Sequence, residues 1–141
     1  MVAWVLALYP VADPLARYRY VLTRQHEAVQ PGGFNAASFI ASHHGFFPSE
    51  EAMGAASVTR VLSSREHTAL PPAWVAQPEF DDNVPASITE ALVQAYQGAG
   101  GPLEREHFSG ARHGFITRVS PESAKAIALM RDFIGRQLQA A

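Results

Sequence analysis

The 141 residues contain no cysteine. That excludes a disulfide framework, a thiolate nucleophile and a cysteine-based metal site, and it leaves the redox compartment open. Charge of one sign is also lacking, with 11 Lys and Arg against 13 Asp and Glu and a formal net charge of -2. The basic residues are scattered, so there is no electropositive field for a phosphate backbone, and nucleic acid is not an expected partner. Long apolar runs are missing too. The opening stretch from Met1 to Pro10 is too short to span a bilayer, and it has neither the positive n-region nor the small-residue cleavage site of a signal peptide. No membrane association is expected, and the cytoplasm is the default location. No internal repeat or low-complexity tract occurs between Asp13 and Leu70.

What is present is enough apolar residue, 48% of the chain, to bury one sizeable core. Val2 to Tyr9 is a continuous apolar run closed by Pro10 and predicts a strand buried on both faces, as in the centre of a parallel sheet. Ala73 to Gln77, between Pro71-Pro72 and Pro78, predicts a second buried strand. Ser87 with Glu90 three residues on is a capping-box signature for a helix whose apolar face is Ile88, Leu92, Ala95 and Tyr96. Gly98-Ala-Gly-Gly101 stops it. Leu103 to Phe108 predicts a third strand, followed by the loop Ser109 to Phe115. A last helix opens at Ser120-Pro121 and presents Ile127, Met130, Ile134 and Leu138 on one side. The expected fold class is therefore α/β, a mostly parallel sheet flanked by helices.

Between residues 11 and 70 the pattern is less regular. Helices are predicted in Pro14 to Gln25 and near Glu50 to Ala56, with a break at Pro31-Gly-Gly33. The run Phe34 to Phe47 is dense in aromatics and histidines and reads either as a cap over a pocket or as a loop-rich subdomain packed on itself. His43-His44 does not suggest a metal site, because adjacent side chains rarely converge on one ion. His26, His67 and His107 have no motif around them and default to surface or packing positions. Neither a metal nor an organic cofactor is expected.

Asp81 and His113 are the residues with chemistry to offer. In a strand-helix-strand unit the strands run parallel, so the loops leaving their C-terminal ends emerge on one edge of the sheet. Adjacent strands lie roughly 4.8 Å apart, which lets side chains on the two loops meet. A carboxylate that accepts a hydrogen bond from one imidazole nitrogen leaves the other free to take a proton from a nucleophile. The bland reading of Asp81-Asp-Asn83 is ordinary turn chemistry, with each side chain bonding its own backbone.

The flanking residues add a resemblance. Gln77-Pro-Glu-Phe-Asp-Asp-Asn-Val-Pro85 resembles the acid-bearing segment of α/β-hydrolase esterases and dienelactone-hydrolase-like proteins, in which an aspartate stands three residues before Val-Pro. Gly110-Ala-Arg-His-Gly-Phe115 is similar to their histidine loop. Tyr9 to Tyr18 and Leu70 to Gln77 resemble the segments that bracket the cap. The resemblance covers nearly the whole chain and implies the C-terminal part of an α/β-hydrolase domain: a core strand at 2–9, a cap-like insertion at 11–70 and a strand-helix-strand-helix unit at 73–140. It implies that the triad acid is Asp81 and the base His113, with no catalytic role for Asp82 or Asn83. Pro78 departs from the pattern, which usually has glycine there.

Such enzymes carry the serine upstream of the acid and histidine, in a Gly-x-Ser-x-Gly elbow, and part of the oxyanion hole beside it. This sequence holds neither that elbow nor a His-Gly-Gly oxyanion motif. Ser38, Ser42, Ser49 and Ser109 do not lie on an expected strand-to-helix elbow. The implied function is that of a carboxylic-ester serine hydrolase whose nucleophile lies outside these residues. Its partner would be a small ester, with the aromatic run favouring an apolar acyl or aryl group. The alternative is a non-catalytic half-domain that self-associates or pairs with another chain through the strand at 2–9. A flavodoxin-like binding domain would need a glycine loop after the first strand, and Pro10 to Pro14 is not one.

Overall fold

The computed structural model describes residues 2–29, 33–64 and 69–140. In chain order its elements are β1 (Val5–Leu8), α1 (Pro14–Thr23), α2 (Ala36–Phe46), α3 (Glu50–Ala55), α4 (Val58–Ser64), β2 (Ala73–Phe80), α5 (Ala86–Gly98), β3 (Leu103–Arg112) and α6 (Pro121–Ala140). The strands form one parallel sheet in the order β1-β2-β3.

The central strand explains the layering. Along β2, Ala73 and Val75 join a cluster with Leu92, Val93, Tyr96 and Leu103, while Trp74 and Ala76 join another with Phe108, Phe115, Ala126 and Phe133. Successive side chains on a strand point to opposite faces, so a strand apolar at every position needs a cover on both. α5 covers one face and α6 the other. No helix among the described residues is long and apolar enough to cross a membrane.

Several local expectations are corrected. β1 is shorter than the apolar run, and it is not buried on both faces: Val2 is 64% and Val5 36% exposed. The reason is that β1 pairs only with β2, so its other side is an open sheet edge among the described residues. Ser87 and Glu90 do not form a capping box. α5 starts earlier, with Pro85 as its N-cap and the Ile88 amide bonded to the Pro85 carbonyl at 2.9 Å, which places Ser87 inside the first turn. On α6 the buried face is Ser123, Ala126 and Phe133, with Met130 partly buried, while Ile127 and Leu138 are exposed.

The helix stops and starts that depend on short-range geometry do form. Gly100, with φ of 83°, bonds the Gln97 carbonyl, and Gly101 bonds the Tyr96 carbonyl. This paired closure of a helix end favours glycine at the left-handed position. At the start of α6 the Ser120 hydroxyl accepts the Ser123 amide at 3.1 Å, and the Ser123 hydroxyl accepts the Ser120 amide at 2.9 Å. The break expected at Pro31-Gly-Gly33 lies largely outside the described residues.

Candidate active site

β2 and β3 run farther than their apolar cores, to Phe80 and Arg112, and those two residues are register partners. The next residue on each strand is Asp81 on one and His113 on the other, so sheet register makes them neighbours. The register reaches this point through an irregularity: Pro78 pairs with Phe108, yet Phe80 pairs with Arg112. β3 therefore fits extra residues opposite Glu79. The Glu79 carboxylate staples them, accepting the Ser109 hydroxyl at 2.9 Å and the Gly110 amide at 2.7 Å. The Gly110 amide, and after it the Ser109 hydroxyl, hold the Glu79 carboxyl below its ordinary range. Gly110 has φ of 75°, which glycine adopts without steric cost. Pro78 stands where the irregularity begins, one of the places a sheet tolerates a residue without an N–H.

His113 donates from Nδ1 to Asp81, at 2.9 Å from Oδ2 and 3.1 Å from Oδ1. The Asp81 side chain is 3% exposed and that of His113 26%. Oδ1 also accepts the amides of Asn83 at 3.0 Å and Val84 at 2.8 Å. Turn chemistry and imidazole binding thus coexist, because a carboxylate has two oxygens and about four acceptor sites. Among the described residues no group bonds His113 Nε2. His113 lines an open cleft of about 570 Å³ together with Phe34, Phe39, Arg112, Phe115 and Arg118.

Three neighbours of the pair carry no sequence signal that singles them out. Tyr9 follows β1 with φ of 42°, a left-handed conformation uncommon for a residue other than glycine. Its ring sits 4.5 Å from the His113 ring and 5.9 Å from Phe115, and burial, then the Asp81 charge, pushes its hydroxyl above its usual value. Asn83 accepts from Arg17, whose Nε lies 3.1 Å from the Asn83 side-chain oxygen and 3.2 Å from its carbonyl. Arg17 is buried at 8% exposure, and that burial lowers its pKa while the Asp81 charge works against the shift. The non-glycine φ of Tyr9 and the burial of Arg17 are tertiary facts. Asp82, beside them, presents its carbonyl to Tyr20 and Arg24 at 3.0 Å each.

The other residues singled out by sequence lie elsewhere. Ser38 and Ser42 sit on α2, where the Ser42 hydroxyl bonds the Ser38 carbonyl at 2.9 Å. Ser49 caps α3 by accepting the Ala52 amide, and Ser109 serves Glu79. None of the four is hydrogen-bonded to His113 among the described residues. His43 is buried and bonds the Phe39 carbonyl at 2.8 Å, while His44 Nε2 lies 2.9 Å from the Tyr18 hydroxyl. These two histidines tie α2 to itself and to α1. His26 and His107 are exposed, and His67 lies outside the described residues. No cluster of three or more His, Asp or Glu with metal-binding spacing occurs among the described residues.

No family model matches the chain, and no curated protein matches it. Solved structures do. A Thermogutta terrifontis esterase with butyrate bound is 19% identical with a TM-score of 0.63, covering 96% of this chain and 44% of its own. The same esterase phosphoramylated by tabun is 20% identical with a TM-score of 0.60, covering 96% of this chain and 41% of its own. Esterase B from Lactobacillus rhamnosis, in an inhibited form, is 14% identical with a TM-score of 0.66, covering 98% of this chain and 42% of its own. The chain thus spans about two fifths of the length of the esterases it matches. Its three parallel strands and flanking helices are part of an α/β-hydrolase fold.

Proposed function

We propose that these residues form the acid-base end of an esterase-type serine hydrolase, with Asp81 as the acid, His113 as the base and the serine supplied by residues outside these 141. The observation that carries the reading is the Asp81–His113 contact itself, two oxygens on Nδ1 with Nε2 unpartnered among the described residues. In that arrangement the carboxylate fixes the imidazole tautomer and stabilises the imidazolium formed when Nε2 takes the serine proton. Nε2 then returns the proton to the leaving alkoxide, and water is activated in the same way for the second half of the reaction.

The open edge of β1 supports the rest. A further parallel strand hydrogen-bonded there would end on the same edge of the sheet as Tyr9, Asp81 and His113, which is where an elbow serine has to stand. Phe34 and Phe39 line the cleft and suit an apolar acyl or aryl group of a small carboxylic ester. The coding frame immediately upstream of Met1 tests this. It is expected to encode Gly-x-Ser-x-Gly, and a polypeptide joining both parts is expected to hydrolyse p-nitrophenyl butyrate and lose about 10⁴-fold in kcat on Asp81→Asn and about 10⁶-fold on His113→Ala, by analogy with triads altered at the same members. An upstream frame without that elbow sinks the proposal. The 141 residues alone are expected to show no turnover above background.

The same edge supports a second reading, a half-domain that pairs with another copy of itself. Val2, Val5 and Val11 are exposed beside it, and an unpaired apolar edge templates strand addition. Gel filtration separates the two readings, since a concentration-independent monomer ends the second.

A further inference from the structure

We infer that Arg17 is a positioning residue that keeps the Asp81 carboxylate aimed at His113, so that the helical segment between β1 and β2 holds the acid in place as well as covering the cleft. This rests on the reading of Asp81 and His113 as acid and base. Arg17 and Tyr20 on α1 and Arg24 at its C-terminal cap are spaced three and four apart and turn toward one side of the helix. All three reach the turn after Asp81. Tyr20 Oη and Arg24 Nη1 donate to the Asp82 carbonyl at 3.0 Å each, and Arg17 uses Nε and Nη2 on the Asn83 side chain and Nε on its carbonyl.

That turn is the one whose amides hold Asp81. The Asn83 and Val84 N–H groups donate to Oδ1 at 3.0 and 2.8 Å, and the carboxylate then faces Nδ1 of His113. The chain of contacts runs from Arg17 through Asn83 to Asp81 and His113, with no gap. A buried cation is an expensive way to fill space between a helix and a turn, because desolvating it carries a penalty that an apolar side chain of like size would not incur. What a guanidinium adds is direction, a rigid fork of donors that fits the two oxygens of one asparagine. The same guanidinium lies 4.5 Å from the Phe39 ring centroid, and that of Arg24 lies 3.8 Å from the ring of Phe34. Both rings line the cleft with His113. The clamp therefore joins the apolar wall of the cleft to the acid.

Nitrogen-edited NMR of the His113 imidazole in the 141-residue chain tests this, read as tautomer and as exchange rate of the Nδ1 proton. Asp81→Asn is expected to switch His113 to the Nε2–H tautomer, since an amide N–H then faces Nδ1. If it does not, the acid-base reading fails whatever Arg17 does. Given that switch, Arg17→Met and Arg17→Lys are each expected to speed exchange of the Nδ1 proton about tenfold, the size of one lost hydrogen bond. Asn83→Ala should do the same, while Asn83→Asp, which keeps the acceptor, should leave exchange slow. A purely structural Arg17 would lower the melting temperature and leave exchange unchanged, and that result overturns the inference. Where Arg17→Met fails to fold, the two Asn83 variants decide, because unchanged exchange in Asn83→Ala overturns it equally.

Discussion

The sheet with its two helices and the helical segment α1 to α4 are held by different means. The sheet unit is sealed by apolar clusters on both faces of β2, and two of its large buried groups, Phe108 and Phe133, are nearly inaccessible. Among the described residues the helical segment contributes Leu62 to that core, joined by Ala12 just before α1. It meets the site edge through directed polar and cation-aromatic contacts from Arg17, Tyr20 and Arg24. The difference teaches where stability and alignment are separately encoded. Apolar burial is non-directional and sets whether the unit folds; hydrogen bonds are directional and set where a side chain points.

The largest test of that contrast is Phe133→Ala, which removes a buried ring from beneath β2. It is expected to cost about 3–5 kcal/mol in urea unfolding, as large-to-small core changes do. An equal loss from Phe39→Ala, whose ring is only partly buried, would break the comparison. Next is Gly101→Ala. A Cβ there would stand 2.4 Å from two Tyr96 ring carbons and 2.9 Å from Leu70, and the Tyr96 hydroxyl is tied to the Pro71 carbonyl at 2.5 Å. The expected loss is about 1–3 kcal/mol from overpacking. Gly98→Ala, with nothing within 4 Å of its Cβ, is the control and should gain up to about 1 kcal/mol from helix propensity. Ser120→Ala removes half of the reciprocal cap on α6 and is expected to cost about 1 kcal/mol by thermal melting.

The smallest effect sharpens the comparison from the other side. Burial pushes the His43 imidazole below its ordinary value of 6.5; the Phe39 carbonyl opposes this, and the charges of Arg17 and His44 add to the lowering. The unfolded chain therefore binds this proton more readily than the folded one. The stability His43 contributes is present above about pH 6.5 and is lost as pH falls from there toward its lower folded value. Amide exchange in α1 and α2, corrected for intrinsic rates, should quicken over that interval while β2 and β3 stay protected. His43→Gln should flatten the response. Identical pH dependence in both regions would mean that they open as one unit.

The legibility of the chain follows the same division. The runs that become β2 and β3, the helix stop at Gly98 to Gly101 and the helix start at Ser120-Pro121 were readable because they depend on residues within a turn or two of each other. The Asp81–His113 juxtaposition was readable for a topological reason, parallel strands ending on one edge. The α6 face was misread: Ile127 and Leu138 match the helical period, but so do Ser123, Ala126 and Phe133, and the helix is turned so that this second set is buried against the sheet while Ile127 and Leu138 are exposed. The Ser87–Glu90 pattern failed for a comparable reason, since the Pro85 carbonyl had already taken the first amide bond of the helix.

By itself the sequence determined an α/β unit with a two-faced central strand, and a carboxylate and an imidazole delivered to one edge of it. Only the tertiary structure decided how those two groups are aimed. The Glu79 staple spans 31 positions and the Arg17–Asn83 clamp spans 66, and Tyr9 meets His113 from the end of β1, across β2. Contacts at such separations leave no periodic trace in a sequence, because each depends on a single partner placed by the fold rather than on a repeating face.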